Sequence, residues 1–152
     1  MLIKIELRLF QFIRRKIKMK IRCFYKILEM IDSDLFLTCA KIINEENYNI
    51  NYSRYLLGFL IYTTDSIKYL LENIEKVIEG EEEVFERLIE MPDTYVYIYK
   101  EKALFEHNRE YWEEWECPTL VVKQALEGWK KFLELPKDKD TVYEFEISDL
   151  DL

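Results

Sequence analysis

Thirty carboxylates, three cysteines and a single histidine are the side chains of this 152-residue chain that could do chemistry. His107 would have to act as the base for any cysteine nucleophile, and Cys23, Cys39 and Cys117 lie in no recognisable nucleophile signature. A zinc site commonly takes three or four nitrogen or sulfur ligands, and these side chains show no pairwise ligand spacing. The sequence therefore predicts no catalytic residue, no metal site and no cofactor.

Other kinds of site are also missing from the sequence pattern. The three glycines stand singly at positions 58, 80 and 128, so there is no glycine-rich phosphate loop. The aspartate spacing of a calcium loop does not occur. Two of the thirty acids can still meet in space, which leaves a small carboxylate-dependent enzyme as an alternative. We expect a protein that binds and has no intrinsic catalytic activity.

The carboxylates are concentrated in one part of the chain. Between Glu79 and Glu116 there are thirteen acidic and four basic residues, and aromatic side chains lie among them. Such a surface suits a basic protein partner, whereas it repels the phosphates of nucleic acid. Tryptophan and tyrosine are also enriched in binding hot spots. The candidate contacts are Glu81, Glu82, Glu83, Tyr111, Trp112, Glu113, Glu114, Trp115 and Glu116.

A structural interpretation of the same segment stays open. Charged runs are commonly solvated faces, and Tyr111, Trp112 and Trp115 would then simply cover the edge of the core.

Length and composition indicate one domain with a substantial core. The chain is 49% hydrophobic and 15% aromatic, which a disordered segment would not be. Three widely spaced cysteines and no secretory signal indicate free thiols in a reducing compartment. The first thirty residues are an exception in charge, with nine basic and two acidic side chains.

The N-terminal segment has two interpretations. Residues 2–9 alternate apolar and charged side chains, which is typical of a strand and too interrupted by charge for a membrane span. Residues 1–18 are therefore either a first strand or a basic extension, with Met19 as the alternative start of a single domain over residues 19–152. The basic cluster of residues 14–22 is compatible with contact to nucleic acid or an anionic membrane. An ordinary solvated charged surface without a binding role explains it at least as well.

The periodicity of the chain predicts an α+β fold with a mainly antiparallel sheet and two principal amphipathic helices packed on one face. Strands are predicted at residues 21–28, 55–62, 84–89, 94–99, 103–107 and 141–147, and the principal helices at residues 66–79 and 119–134. Asp65 or Ser66 should cap the first of these helices, and Gly80 should end it in a left-handed conformation. A short helix is also expected after Asp32, Ser33 or Asp34, with Leu35, Phe36, Cys39, Ile42 and Ile43 on one side.

The order of these parts resembles a known class of protein. The resemblance covers residues 55–135, in four runs: YLLGFLIYTTDSIKYLLENIEKVIEGEEEVFE, DTYVYIYKEKALFEH, EEWECPT and LVVKQALEGWKKFLEL. In style and element order, above all in the ALEGWKKFL helix, it is similar to small immunity proteins of bacterial contact-dependent and other polymorphic toxin systems.

This resemblance implies a non-enzymatic, cytoplasmic protein that holds a cognate toxin domain, often a nuclease, in a one-to-one complex and blocks its active site. It carries over no interface residues, because these families bind through different surfaces. Fixed carboxylates could mimic the phosphates that a nuclease expects. A generic protein-interaction or regulatory domain is the alternative. No stable insertion into a membrane is expected.

Overall fold

The computed structural model of the chain describes residues 18–89, 93–107 and 112–148. Its elements follow one another as β1 (Lys18–Leu28), β2 (Leu35–Ile42), a π-helical segment (Tyr52–Leu57), α1 (Gly58–Tyr62), α2 (Ile67–Ile78), β3 (Phe85–Ile89), β4 (Thr94–Ile98), β5 (Lys102–His107), β6 (Trp115–Pro118), α3 (Thr119–Leu133) and β7 (Val142–Ser148). Short 3₁₀ turns occur at Glu45–Asn47 and Thr64–Ser66. The predicted α+β class, with antiparallel strands and two long helices, is confirmed. The strands divide between two sheets.

The three-stranded sheet has the order β2-β1-β7 and is antiparallel throughout. Its central strand buries Met19, Ile21, Cys23 and Tyr25, which are every second residue, as expected for a strand with one face on the core. The intervening residues face away from the core and pair with outward side chains of both neighbouring strands. This sheet therefore has one covered face and one open face.

The four-stranded sheet is an antiparallel meander with the order β3-β4-β5-β6. Val96 and Ile98 of β4 and Ala103 and Phe105 of β5 are fully buried on its inner face. Thr119 fastens the sheet to α3, because its amide donates to the Glu101 carbonyl and its hydroxyl donates to the Tyr99 carbonyl. The first turn of the helix is thus fixed to the β4–β5 turn.

Helix α3 links the two sheets, since it contacts β5 and β6 of one sheet and β7 of the other. Trp129 of α3 is fully buried, and its indole N–H donates to the hydroxyl of Thr64 over 3.2 Å. Gly128 faces β7 so closely that a Cβ at this position would lie inside contact distance of the Phe145 ring. The missing side chain allows strand and helix to approach.

Helix α2 begins and ends close to its predicted limits. Gly80 adopts the predicted left-handed conformation, with φ of 84°. The Gly80 amide donates to the Val77 carbonyl and the Glu81 amide to the Lys76 carbonyl, which is a Schellman motif. At the other end, Ser66 precedes the helix, but its hydroxyl donates to the Thr63 carbonyl and makes no capping bond.

The strand predicted at residues 55–62 is wrong, because this run forms the π-helical segment and α1. It buries Tyr55, Leu56, Leu57, Phe59 and Leu60, whereas Tyr62 at its end is exposed. The run is almost wholly apolar and has no polar stripe, so periodicity cannot distinguish it from a buried strand. The hydroxyls of the threonines that follow bond back to helix carbonyls.

The short helix predicted after residues 32–34 is also wrong, because Leu35–Ile42 is strand β2. Its residues pair with eight consecutive residues of β1, from Leu28↔Leu35 to Ile21↔Ile42. The spacing of the apolar side chains fits both the helical and the strand period. The long pairing with β1 favours the strand. The alternatives for residues 1–17 lie outside the described residues, whereas Lys18 and Met19 belong to β1.

Candidate functional site

The open face of the four-stranded sheet combines carboxylates with tyrosines. We call it the tyrosine–glutamate face, and it consists of Glu86, Leu88, Tyr95, Tyr97, Lys102, Leu104, Glu106, Glu114 and Glu116. Its formal charge is −3, because four carboxylates are accompanied by one lysine. Leu88 and Tyr95 keep 46% and 36% of their surface exposed. A face of this composition has the features of a protein-binding surface.

Strand register builds this face in two rows. Leu88, Tyr95 and Glu106 are direct cross-strand neighbours in one row. The second row runs from Glu86 through Tyr97 and Leu104 to Glu116. The rings of Tyr95 and Tyr97 stack with their centroids 6.4 Å apart. Residues from four different strands thus form one continuous surface.

The electrostatics of the face are dominated by carboxylates that stand close together. Burial raises the pKa of the Glu106 carboxyl, and a hydrogen bond to Glu114 and its negative charge raise it further. Burial also raises the pKa of Tyr97, with the charges of Glu106 and Glu86 adding to the effect. At the other end of the face, Lys102 and Glu116 form an ion pair at 3.4 Å. The negative potential is therefore concentrated around Glu86, Glu106 and Glu114.

The contact between the Glu106 and Glu114 carboxyl groups predicts a pH-dependent effect on the free energy of unfolding. Because the Glu106 pKa is raised in the folded state, ionisation destabilises the fold as pH rises above the pKa of the unfolded chain. Glu106→Gln is expected to raise the free energy of unfolding near neutral pH by about 0.2–1 kcal/mol, the size of effect known for like charges that lie opposite one another in a sheet. Near pH 3 the difference should vanish, since Glu106 is then protonated in both states.

Urea denaturation of parent and variant at both pH values measures this effect. Glu116→Gln is the matched control, because it removes the partner of Lys102 and should give no gain in stability. A gain from Glu116→Gln equal to that from Glu106→Gln would contradict the assignment of the effect to the carboxyl pair.

The two tryptophans among the candidate contacts lie beside the core. The half-buried ring of Trp115 stacks on the Tyr55 ring with the centroids 6.0 Å apart. Its centroid lies 5.5 Å from that of the Phe105 ring. Trp112 packs edge-on against Tyr55 at 5.5 Å, and the guanidinium of Arg54 lies over its ring at 5.7 Å. Both indoles therefore support the sheet from its inner side, as the structural interpretation of this segment anticipates.

The remaining candidate contacts are divided over the surface. Glu114 and Glu116 lie on the tyrosine–glutamate face, and Glu116 belongs to β6, an element that the sequence did not predict. Glu113 is exposed, and its carbonyl accepts a hydrogen bond from the Tyr55 hydroxyl. Tyr111 lies outside the described residues.

The glutamates that follow α2, Glu81, Glu82 and Glu83, are exposed. Glu83 lines a shallow groove with residues 99–102, at the Lys102 end of the tyrosine–glutamate face. The structure therefore places Glu83 beside the β4–β5 turn, whereas Glu116 lies on β6, the edge strand farthest from β3.

Sequence reasoning missed Glu86, Tyr95, Tyr97 and Glu106 as members of the site. The signal for the tyrosines was present, because they alternate with Val96 and Ile98, whose burial turns the tyrosines outward. The two glutamates could be placed only from the pairing of β3 and β5 with β4.

Burial and ring packing surround three of the potentially reactive side chains in the described part of the chain. Burial raises the pKa of the Cys23 thiol to about 12, which keeps it protonated. Cys117 is buried, and the His107 ring lies tilted against the Trp112 ring, with the centroids 4.9 Å apart. Among the described residues, no three His, Cys, Asp or Glu side chains are grouped so that they could hold a metal ion.

In comparisons with known proteins, no family model, no curated protein and no solved structure matches this chain. Each helix within the described ranges is too short or too polar to cross a membrane.

Proposed function

We propose that this chain is an immunity protein that binds and neutralises a cognate toxin domain through its tyrosine–glutamate face. The observation that carries the proposal is the collection of four carboxylates and two stacked tyrosines on one open sheet face. The resemblance of residues 55–135 to immunity proteins of bacterial toxin systems supports the same class. The protein acts by occlusion in the cytoplasm, without a cofactor and without catalysis.

The chemistry of the face favours a basic protein surface as the partner. Glu86, Glu106 and Glu114 present fixed negative charge, and Tyr95 and Tyr97 add apolar area and hydroxyl groups. Lysine and arginine side chains meet both requirements, by pairing with carboxylates and by packing on aromatic rings. Nuclease domains carry such cations to hold phosphates, so rigid carboxylates can take the place of their substrate. The same charge disfavours direct binding of nucleic acid.

Co-expression with the product of the adjacent gene tests the function. The chain is expected to protect cells from that product and to co-purify with it in a one-to-one complex. A toxin of an unrelated system is the control and should neither be neutralised nor co-purify. Failure to protect against the neighbouring product and failure to bind it would together reject the immunity function.

A further inference from the structure

The open face of the three-stranded sheet has the opposite charge to the tyrosine–glutamate face. We call it the lysine–leucine face, and it consists of Lys18, Lys20, Arg22, Phe24, Lys26, Leu28, Leu35, Leu37, Cys39, Lys41, Val142, Glu144 and Glu146. Five cations and two carboxylates give it a formal charge of +3. The described residues therefore form two open sheet faces, of formal charge +3 and −3.

After the ion pairs within each face are counted, both faces keep three charged side chains that can pair with a partner. Lys18 pairs with Glu146 at 3.8 Å, and Arg22 pairs with Glu144 at 2.6 Å. Lys20, Lys26 and Lys41 are exposed, and no carboxylate of the described residues forms an ion pair with them. On the tyrosine–glutamate face, the Lys102–Glu116 pair likewise leaves three glutamates. Three lysines on one face thus match three carboxylates on the other.

Apolar side chains accompany the charges on the lysine–leucine face. Leu28, Leu35, Leu37 and Val142 each keep between 39% and 53% of their surface exposed. Phe24 lies between Cys39 and Val142 in the register and is not among the residues packed against the core. Leucine and phenylalanine gain little from contact with phosphate groups, whereas they can pack on tyrosine and leucine side chains. The tyrosine–glutamate face offers both, in Tyr95 and Leu104.

We propose that the lysine–leucine face of one copy of this chain docks on the tyrosine–glutamate face of a second copy. Charge and apolar content are complementary between the two faces. The proposal is independent of the immunity function, because it requires no toxin.

The size of the faces makes the association weak and reversible. Three strands spaced about 4.8 Å apart, each about eight residues long at about 3.3 Å per residue, cover only a few hundred Å² in projection. Stable dimers bury about 1,200–2,000 Å² in total, so this contact belongs to the transient class. Two different surfaces meet, and the contact therefore allows dimers and short chains to grow with concentration. A copy engaged through its tyrosine–glutamate face could not bind a toxin there.

Sedimentation velocity of the full chain between about 10 μM and about 1 mM tests the proposal. The mean mass is expected to rise with concentration at about 0.1 M salt and to fall toward the monomer at about 1 M salt, where screening is stronger. A parent chain that stays monomeric over this range would overturn the proposal.

Two charge-reversal variants then assign the faces. The acid-reversed variant carries Glu86→Lys, Glu106→Lys and Glu114→Lys, and the base-reversed variant carries Lys20→Glu, Lys26→Glu and Lys41→Glu. Each alone should remain monomeric, because its two faces then have the same sign. A mixture of the two should associate at least as strongly as the parent, since faces of opposite sign are again available. This rescue also shows that neither variant is misfolded.

A matched control changes the net charge without touching either face. Glu46→Lys, Glu72→Lys and Glu134→Lys replace three exposed glutamates and should leave the association as in the parent. Equal association of the parent and both face variants would overturn the proposal. A monomeric parent that binds a DNA duplex or phosphatidylserine vesicles, with loss of that binding in the base-reversed variant, would assign the lysine–leucine face to an anionic partner instead.

Discussion

Trp129→Ala is expected to lower the free energy of unfolding by about 3–5 kcal/mol, the range for truncation of a large aromatic side chain in a core. Trp129 has no exposed surface and packs against Phe132 with ring centroids 5.2 Å apart. Its indole N–H also donates to the Thr64 hydroxyl, which ties α3 to the turn before α2. The cavity would therefore open where α3 joins the rest of the core, and the hydroxyl would lose its donor.

Chemical denaturation of parent and variant measures this change. Trp129→Phe keeps much of the ring and loses the hydrogen bond, so it should cost clearly less than the alanine variant. Tyr62→Ala is the surface control, because this aromatic residue is 57% exposed and its truncation should change stability by less than about 1 kcal/mol. Equal midpoints for Trp129→Ala and Tyr62→Ala would contradict the placement of Trp129.

The acid-reversed variant is expected to bind the toxin more weakly than the parent by orders of magnitude. One charged contact that becomes buried in an interface can contribute about 2–5 kcal/mol, and tenfold in affinity corresponds to about 1.4 kcal/mol. Reversal of Glu86, Glu106 and Glu114 replaces attraction by repulsion at three neighbouring positions of one face. Calorimetry or surface plasmon resonance with the purified toxin domain gives the dissociation constant.

Two comparisons locate the interface within the acidic region. The control with Glu46→Lys, Glu72→Lys and Glu134→Lys has the same net charge as the acid-reversed variant and should bind the toxin nearly as the parent does. Single reversals of Glu86 and Glu114 should both weaken binding, although these residues are far apart in sequence. If Glu113→Lys and Glu114→Lys weaken toxin binding and Glu86→Lys does not, the interface is formed by the linear acidic segment and not by the sheet face.

Much of the fold follows from periodicity, because most elements bury one face only. The alternation in β1, β4 and β7 and the three- and four-residue spacing in α2 and α3 place these elements within a few residues. The predictions for residues 55–62 and 35–42 are wrong for different physical reasons. The first run is almost wholly apolar, so it has no polar stripe from which a helical period could be detected. The second has a pattern compatible with both periods, and its partner β1 selects the strand.

The sequence predicts which segment of the chain contributes to the candidate site, but not which residues share its surface. Charge counting identified the acidic segment, and it includes Glu114 and Glu116, which lie on the tyrosine–glutamate face. Counting could not show that Trp112 and Trp115 pack beside Tyr55, since Tyr55 itself was expected in a strand. Nor could it bring Glu86 to the same face, because cross-strand register depends on contacts that local patterns do not encode.

The pairing of β1 with β7 has a consequence for folding kinetics. Lys18 lies opposite Ser148, so the three-stranded sheet joins residues from the two ends of the described chain. The four-stranded sheet, in contrast, uses consecutive strands from Phe85 to Pro118. Loop closure favours such local pairings, and a nascent chain cannot complete β7 until residue 148 has left the ribosome. The meander should therefore form early, whereas the lysine–leucine face should assemble in the slowest step.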